Sequence, residues 1–338
     1  MYKPKNILII RLSAMGDVAM TVPVIRALSN QNQDLKITIL TRTFFAPFFR
    51  DLENVTIFNA DVNGNHKGLK GLYKLSKELR KFKFDAVADL HNVLRSNVLK
   101  KFLSVQRFAQ IDKGRAEKKA LISGDNFRQL KTTHERYADV FYQLGLSVDL
   151  SNPTFPVQTI LNDSILKWIK SDAKQYIGIA PFAAFKSKMY SLELMNKVIS
   201  ELAKEYCILL FGGGKEEIIQ LDAIAKQHPN VISVAGKLSL SEELDVISNL
   251  KLMVSMDSGN GHIAAMLGVK VVTIWGVTHP FAGFMPFNQT INCSLIVNRD
   301  EFPKTPTSVY GNRFPKDYEQ AINSISPNEI IAKVKSLL

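Results

Sequence analysis

Short apolar runs alternate with amphipathic segments along most of this 338-residue chain. Such runs are typical of strands buried on both faces, and apolar residues at helical spacing are typical of helices that pack on those strands. In the N-terminal half, the pattern predicts strands at residues 7–11, 35–41, 55–58 and 85–90 and helices at 18–29 and 66–82. This alternation predicts a parallel sheet with helices on both faces.

The C-terminal half repeats the scheme. Strands are predicted at residues 176–180, 207–211, 231–234, 252–256 and 271–274, and helices at 193–204, 216–227, 241–248 and 261–267. Residues 147–159 carry two prolines and little periodicity, which predicts a linker, and residues 280–315 are predicted to be irregular. The fold class is therefore α/β, with an N-terminal domain at 1–150, a C-terminal domain at 160–325 and a Ser-capped helix at 326–338.

Ligands in doubly wound sheets bind beyond the carboxyl ends of the strands, and with two such domains we expect the site in the cleft between them. The strand that ends at residue 256 is followed by an unusual polar run: Asp257, Ser258, Gly259, Asn260, Gly261 and His262. The first N–H groups of the helix that follows carry partial positive charge, and small residues let a ligand approach them. The run therefore predicts a phosphate or diphosphate site, although Asp257 or Ser258 alone is equally explained as a helix cap.

Two further loops follow predicted strands. The run at 212–217, GGGKEE, lacks the last glycine of a dinucleotide fingerprint, and Glu216 at its helix start is also explained by the helix dipole alone. Lys186 and Lys188 follow the strand at 176–180, where a lysine would neutralise a leaving diphosphate unless it is merely solvated. No P-loop pattern occurs, which argues against an ATPase or kinase.

The net charge of +12 is unevenly distributed. Residues 1–150 contain 25 basic and 14 acidic residues, and residues 61–120 alone contain 15 and 6. This asymmetry indicates an anionic partner, namely a nucleic acid, a phospholipid surface or a phosphorylated substrate, unless the basic face is only solvated. The helix predicted at 66–82 is expected to pack its four leucines and Phe82 inward. Its polar side carries Lys67, Lys70, Lys74, Lys77, Arg80 and Lys81.

The composition and the cysteines argue against a membrane-spanning, secreted or metal-binding protein. A chain with 46% hydrophobic and 22% charged residues is ordinary for a soluble globular protein. The apolar run at residues 7–10 is far shorter than the roughly 20 residues of a membrane span or than the core of a secretory signal. The two cysteines, Cys207 and Cys293, have neither metal nor disulfide spacing, and no D-x-D pair or Asp/His cluster occurs. We therefore expect a cytoplasmic protein without a metal site.

Several motifs occur in one order across both halves: RLSAMGDVAMTVPVIRAL, KSKMYSLE, GGGKEE, and DSGNGHIAAMLG followed by WGVTHP. With these motifs the chain resembles the family 9 glycosyltransferases, the ADP-heptose:lipopolysaccharide heptosyltransferases. The resemblance implies the GT-B architecture, in which two doubly wound Rossmann-like domains face a central cleft. It also implies an inverting, metal-independent transfer that needs no cofactor, from ADP-heptose to the inner core of lipopolysaccharide.

The resemblance also implies roles for individual residues. Asp17 falls at the family's general base and Lys188 at the lysine that contacts the donor phosphates. The residues that fall in the donor-binding segments are Gly16, Glu216, Asp257, Ser258, Gly259, His262 and Thr278. The segment ADLHNVLRSNVL resembles the acceptor side, with Arg95, Ser96 and His91, where the family often has Gln.

The implied partners are ADP-heptose or a related nucleotide sugar, a phosphorylated lipid-linked sugar acceptor, and the anionic inner face of the cytoplasmic membrane. The basic segment at 61–120 suits such a surface. A different UDP-sugar transferase or epimerase of the same fold is one alternative. A nucleic-acid-binding protein is another, although the phenylalanines at 44–49 fit neither an RNP nor a helix-turn-helix pattern.

Three motifs depart from the family pattern. The usual G-P-T-[DS]-P is GVTHP at residues 276–280, the Trp-Pro after the loop lysine is Tyr190-Ser191, and Gly261 stands where a larger residue is common. None of these changes removes a charged catalytic group, so the predicted activity is retained.

Overall fold

The computed structural model describes residues 3–169 and 175–338. It divides the chain into two compact units. Unit 1 comprises Met1–Lys113 and Thr132–Phe155, and unit 2 comprises Gly114–Lys131 and Pro156–Leu338. The boundary after residue 155 lies in the predicted linker. Residues 114–131 group with unit 2, although they lie in the half of the chain from which we predicted the N-terminal domain.

Unit 1 is built on a five-stranded parallel sheet with the order β3-β2-β1-β4-β5. Its strands are β1 (Asn6–Ile10), β2 (Lys36–Thr41), β3 (Val55–Asn59), β4 (Ala86–Asp89) and β5 (Arg107–Gln110). The four apolar residues of β1 that end at Ile10 are fully buried, as expected for a central strand covered on both faces.

Helices follow the strands of unit 1, although only the first two correspond to helices predicted from the sequence. They are α1 (Met15–Gln31), α2 (Gly68–Arg80), α3 (Leu94–Leu103) and α5 (Thr133–Gln143), whereas α4 (Arg115–Ser123) belongs to unit 2. α2 buries Leu72, Leu75 and Leu79. The prediction that all its leucines and Phe82 pack inward was wrong for two residues, because Leu69 is 66% and Phe82 40% exposed. Leu69 lies about 90° around the helix from the middle of the buried arc.

Unit 2 contains a six-stranded parallel sheet with the order β11-β10-β9-β6-β7-β8. Its strands are β6 (Tyr176–Ala180), β7 (Cys207–Leu210), β8 (Val231–Ser233), β9 (Leu252–Met256), β10 (Lys270–Trp275) and β11 (Ser294–Ile296). Its other helices are α6 (Asp163–Ile169), α7 (Leu192–Leu202), α8 (Lys215–Ala225), α9 (Leu240–Ser248), α10 (Gly259–Met266) and α11 (Pro327–Leu337). The predicted fold class, two doubly wound α/β domains, is confirmed.

Two details of unit 2 concern its C-terminal part. β11 lies within the stretch predicted to be irregular and pairs with the end of β10, where Trp275 is opposite Ile296. α11 begins with the expected cap, since the Ser326 hydroxyl accepts the Glu329 N–H at 3.2 Å and Glu329 Oε2 accepts the Ser326 N–H at 2.7 Å. Among the residues that the structure describes, no helix has both the length and the apolar character needed to cross a membrane.

The strand order reverses once in each sheet. In unit 1 the reversal lies between β1 and β4, with Ile10 opposite Asp89, and in unit 2 it lies between β6 and β9, with Ala180 opposite Ser255. The loops that leave the carboxyl ends of such strand pairs diverge to opposite sides and open a crevice, which is where ligands bind in this fold class. The candidate sites should therefore involve the residues just after β1, β4, β6 and β9.

Candidate active site

A charged cluster lies at the carboxyl edge of the unit 2 sheet. Asp257 directly follows β9, and its Oδ2 lies 2.8 Å from Nζ of Lys188, which belongs to the loop after β6. The hydroxyl of Thr278, which follows β10, donates to the same Oδ2 at 2.9 Å. The side chains of Lys188 and Asp257 are only 13% and 10% exposed. Three neighbouring strands thus deliver a lysine, a carboxylate and a hydroxyl to one point.

The structure separates the two lysines that the sequence left as alternatives. Lys186 and Lys188 form one short turn of 3-10 helix, in which the Lys188 N–H donates to the Phe185 carbonyl at 3.0 Å. Lys186 points into solvent, whereas Lys188 reaches the Asp257 carboxylate. Lys188 is therefore the lysine at the edge of the sheet, in agreement with the family motif.

The polar run at 257–262 forms the start of α10. The side chain of Ser258, the residue before α10, makes no capping hydrogen bond. The Asp257 carboxylate binds Lys188 and Thr278 instead, and the Ser258 hydroxyl lies 3.2 Å from the Ser255 hydroxyl. Ser258 therefore does not cap α10 through its side chain, and binding of an anion at this helix N-terminus stays a prediction.

The glycines and the histidine of this run pack closely. Gly259 is the first residue of α10, and His262 is buried within the same helix. A Cβ at position 261 would lie 3.2 Å from the Ser255 hydroxyl oxygen, which is closer than nearly all real contacts of a Cβ atom. A side chain at position 261 would therefore require a small shift of Ser255.

The glycine loop after β7 places Glu216 in the first turn of α8, where it is exposed. Its neighbour Glu217 has a structural role, because its Oε2 accepts the Gly213 N–H at 2.8 Å and so closes the loop. The donor-binding role of Glu216 stays a prediction.

A second charged cluster lies after β1 in unit 1. Asp17 belongs to the first turn of α1, and its Oδ2 lies 2.7 Å from Nη2 of Arg11, which directly follows β1. The other terminal nitrogen of Arg11 donates to the Leu90 carbonyl at 2.6 Å, and the Tyr137 hydroxyl donates to the Asp17 carbonyl at 3.3 Å. Arg11 is 7% and Asp17 33% exposed, so the carboxylate is held in place but open to solvent. Gly16 precedes it and is half-buried.

Sequence reasoning missed Arg11. The available signal was a charged residue placed directly after a fully buried strand. Burial raises the pKa of the Tyr137 phenol, while the Arg11 guanidinium 5.9 Å from the ring acts in the opposite direction. The phenol is therefore a neutral hydrogen-bond donor at physiological pH.

The loop after β4 is organised by Asp89, which is fully buried. Its Oδ1 accepts the N–H groups of His91 and Asn92 at 2.9 and 3.0 Å, and its Oδ2 accepts Nε2 of Gln110 at 2.8 Å. The His91 ring is buried, with Nε2 3.5 Å from the Ser13 hydroxyl. Burial of the ring and, to a smaller extent, the positive charge of Arg11 lower the pKa of His91 to about 4.

The two other acceptor-side residues begin α3. Ser96 is fully buried, and its hydroxyl makes two 3.0 Å hydrogen bonds to the backbone N–H and carbonyl of Val93. This geometry gives Ser96 a structural role at the helix start. Arg95 beside it is half-buried. The acceptor-binding roles of Arg95, Ser96 and His91 stay predictions.

The segment at 114–131 packs on the loop that follows Thr278. The Leu130 N–H donates to the Phe281 carbonyl at 2.9 Å, and the rings of Phe127 and His279 are 5.0 Å apart. Burial, followed by the charge of Arg299, lowers the pKa of His279 to about 4. The neutral ring accepts the Phe281 N–H through Nδ1 at 3.1 Å, so His279 in the GVTHP motif supports this loop.

No group of three or more His, Cys, Asp or Glu side chains within residues 3–169 and 175–338 is arranged to hold a metal ion.

Comparison with protein families identifies this arrangement. The model of glycosyltransferase family 9 (heptosyltransferase) matches residues 72–316, which is most of the chain. The chain belongs to this family. It is therefore a glycosyltransferase, as the motifs indicate.

Individual relatives agree with this assignment. The chain is 25% identical to lipopolysaccharide heptosyltransferase 1 of Campylobacter coli, with 98% of each chain covered. It is also 25% identical to lipopolysaccharide heptosyltransferase 3 of Escherichia coli K12, over 96% of this chain and 95% of the relative.

Solved structures match the fold over almost the whole chain. A family 9 glycosyltransferase from Veillonella parvula aligns with a TM-score of 0.75 at 17% identity, over 100% of this chain and 98% of that one. The ADP-heptose lipopolysaccharide heptosyltransferase II of E. coli aligns with a TM-score of 0.71 at 19% identity, over 98% of each chain. The predicted GT-B class is confirmed.

The lowered pKa of His91 predicts acid-dependent stability. The folded protein protonates this ring only below about pH 4, whereas the unfolded chain does so below 6.5. Protonation therefore favours unfolding as the pH falls from 6.5 towards 4, and the contribution of neutral His91 is present above that window. From pH 6.5 to 4.5, we expect unit 1 to lose about 2 kcal/mol more stability in the parent than in His91→Gln.

NMR titration of the His91 ring gives the midpoint directly, and denaturation of parent and His91→Gln at the two pH values gives the loss of stability. A ring midpoint near 6.5, with equal acid sensitivity of the two proteins, would contradict the buried neutral histidine.

Proposed function

We propose that the protein is an inverting heptosyltransferase that moves a heptose from ADP-heptose to the phosphorylated inner core of lipopolysaccharide, without a metal or cofactor. The observation that carries the proposal is the cluster of Lys188, Asp257 and Thr278 beside the start of α10. The names of the relatives, which are lipopolysaccharide heptosyltransferases, suggest the transferred sugar and the acceptor, and the name of the similar E. coli structure suggests ADP-heptose as the donor.

The donor diphosphate would bind in unit 2. Lys188 and the first N–H groups of α10 provide a cation and oriented dipoles at one end of the sheet, where a diphosphate is stabilised without a metal. The Asp257 carboxylate, which also accepts a hydrogen bond from the Thr278 hydroxyl, holds the lysine at this place. Gly259 at the start of α10 keeps the backbone accessible, and Ser258 and His262 lie in the same segment. Glu216, exposed at the neighbouring strand end, is assigned to the nucleoside.

The acceptor would be activated in unit 1. Asp17 takes the proton of the acceptor hydroxyl, whose oxygen attacks the anomeric carbon of the donor from the face opposite the diphosphate. A new C–O bond forms as the bond between the anomeric carbon and the oxygen of the β-phosphate breaks; its electron pair stays on that oxygen and leaves with ADP, so the anomeric configuration inverts. The Arg11 guanidinium fixes the orientation of the Asp17 carboxylate at 2.7 Å. His91 and Arg95 are assigned to binding of the acceptor.

An anionic membrane surface would bring the enzyme to its lipid-linked acceptor at the inner face of the cytoplasmic membrane. Basic residues are exposed on the solvent side of α2 and at the positions directly before and after it. They are Lys67, Lys70, Lys74, Lys77, Arg80 and Lys81. Large apolar side chains lie among them, since Leu69 is 66% and Tyr73 47% exposed, and Leu94 at the start of the neighbouring α3 is 81% exposed. Basic and apolar groups together suit the headgroup region of an anionic leaflet.

The general base is tested by Asp17→Asn, which keeps the shape of the side chain and removes its ability to take a proton. Release of ADP from ADP-heptose in the presence of acceptor should fall by roughly 10²–10⁴-fold, with ADP affinity unchanged. Asp34→Asn is the matched control, because Asp34 is an exposed carboxylate of unit 1 just before β2. Near-normal turnover of Asp17→Asn would exclude Asp17 as the base.

The same assay tests the donor with a panel of nucleotide sugars. Release of UDP from a UDP-sugar, without release of ADP from ADP-heptose, would instead support a different transferase of the same fold. Steep salt-dependent binding of DNA or RNA without sugar-nucleotide affinity would support a nucleic-acid-binding protein.

The diphosphate site is tested by comparing the two neighbouring lysines. Lys188→Ala should raise the dissociation constant of ADP and slow the transfer, because it removes the enclosed ammonium. Lys186→Ala should change both quantities much less, since Lys186 is exposed. Isothermal titration with ADP measures the difference, and a larger effect of Lys186→Ala would overturn the assignment. EDTA should leave the activity intact, so complete loss on chelation would overturn the metal-free mechanism.

The membrane face is tested with a charge-removal variant. Each basic residue near an anionic leaflet contributes about 1 kcal/mol, fading within a Debye length. The quadruple change to Gln of Lys70, Lys74, Lys77 and Lys81 should therefore weaken sedimentation with anionic vesicles and spare turnover on a soluble, delipidated acceptor. High salt should release the parent from the vesicles.

The matched control removes four exposed lysines of unit 2 by the same change: Lys204, Lys226, Lys251 and Lys270. It alters the net charge equally and should bind vesicles as the parent does. If both quadruple variants bind equally well, the basic face of α2 serves solubility only.

A further inference from the structure

Two glycines, Gly276 and Gly311, lie close to Ser187 and Lys188. Gly311, in the irregular segment before α11, has φ +80°, and a Cβ atom there would lie 2.6 Å from Cδ and 2.7 Å from Cγ of Lys188. A Cβ atom on Gly276, directly after β10, would collide with the Ser187 carbonyl oxygen. The lysine stem therefore occupies the space that a side chain at position 311 would need.

The segment around Gly311, residues 305–313, forms a strap across this turn. Its Thr307 N–H donates to the Val277 carbonyl at 2.9 Å, and its Gly311 carbonyl accepts the Ser187 hydroxyl at 2.6 Å. Nε of Arg299 donates to the Thr305 carbonyl at 2.8 Å. The strap is thus hydrogen-bonded to Ser187 and to Val277. These two residues directly precede Lys188 and Thr278, whose side chains bind Asp257.

The strap has a direct consequence for Lys188. A lysine stem has four rotatable bonds, and holding it in one conformation costs conformational entropy. The stem fills the space beside Gly311 where a Cβ atom would lie, and its ammonium lies 2.8 Å from Asp257 Oδ2. A group whose position is fixed before a ligand binds loses less freedom on binding.

We infer that Gly311 is a positioning residue for Lys188: only glycine at this place lets the ammonium reach Asp257. The effect of Gly311 on binding of the donor diphosphate rests on the proposed function. The effect of Gly311 on the position of Lys188 does not rest on it. Gly311 therefore acts on ligand binding through Lys188 alone.

The placement of the lysine is measured by reductive methylation of lysines, followed by peptide mass spectrometry. In the parent, Lys188 should react much more slowly than exposed Lys186, which is the internal standard. In Gly311→Ala, the rate at Lys188 should rise severalfold relative to Lys186. The matched control is Gly124→Ala, which has φ +83° and nothing within 4 Å of the new Cβ, so it carries the backbone strain without the collision.

The consequence for ligand binding is measured with ADP. Gly311→Ala should raise the ADP dissociation constant roughly tenfold, which corresponds to about 1.4 kcal/mol. In a Lys188→Ala background, the same change should have no further effect, because the residue it positions is gone. An unchanged methylation rate of Lys188 in Gly311→Ala would overturn the inference. An equal loss of ADP affinity in both backgrounds would also overturn it.

A second variant covers the case in which Gly311→Ala does not fold. Ser187→Ala removes the hydrogen bond to the Gly311 carbonyl without a collision, and should raise the Lys188 methylation rate in the same direction by a smaller factor. No change in Ser187→Ala would count against the strap. If the parent fails to bind ADP, the proposed function fails, whereas the methylation rates still decide whether Gly311 positions Lys188.

Discussion

The ion pair between Lys188 and Asp257 is the interaction on which the candidate site of unit 2 depends. Both side chains are nearly enclosed, at 13% and 10% exposure, so either charge alone would be poorly solvated. Each therefore requires the other, and Thr278 provides a further hydrogen bond to the carboxylate. Because the three residues follow β6, β9 and β10, the pair forms only when the sheet has its native order. Folding of the sheet thus brings the lysine and the carboxylate within reach of each other.

Unit 1 carries a similar ion pair, Arg11 with Asp17, in which the carboxylate is more exposed than in unit 2. Arg11 is as buried as the partners in unit 2, but Asp17 is 33% exposed, although its Oδ2 accepts from Arg11 and from the Ala14 N–H. A carboxylate that must take a proton from a substrate has to be both oriented and reachable. Asp257, held by Lys188 and Thr278, is oriented but enclosed, so its position suits a structural partner of the lysine. This contrast supports Asp17 as the base and Asp257 as the residue that fixes the cation.

The sequence predicted most of the fold because strands buried on both faces are continuous apolar runs, which need no knowledge of tertiary contacts. β11 was missed because it is only three residues long, is only half-buried and lies in a stretch without regular periodicity. The grouping of residues 114–131 with unit 2 was also missed, since a local pattern shows that a segment has an apolar face but not which sheet covers it. Leu69 was misjudged because leucines near helical spacing need not all fall on the buried arc.

For the candidate site, motifs located the strand ends but left their contacts open. Whether Asp257 caps a helix or binds a lysine depends on which loop lies beside it, and that follows from the strand order. The same holds for the choice between Lys186 and Lys188, and for Arg11, whose partner Asp17 lies six residues away on the next element. The closeness of Gly311 to Lys188 was the hardest feature to predict, because the two residues are 123 positions apart in the sequence.

The ion pair also bears on how a phosphate would be held. A lysine ammonium carries three N–H donors, and Asp257 Oδ2 uses one of them. A phosphate oxygen can therefore share the ammonium with Asp257 without breaking the pair. Because the carboxylate already neutralises much of the lysine charge, the N–H groups at the start of α10 must supply a large part of the remaining attraction. If the proposed donor site is correct, we therefore expect the small residues at the start of α10 to contribute to diphosphate binding alongside the lysine.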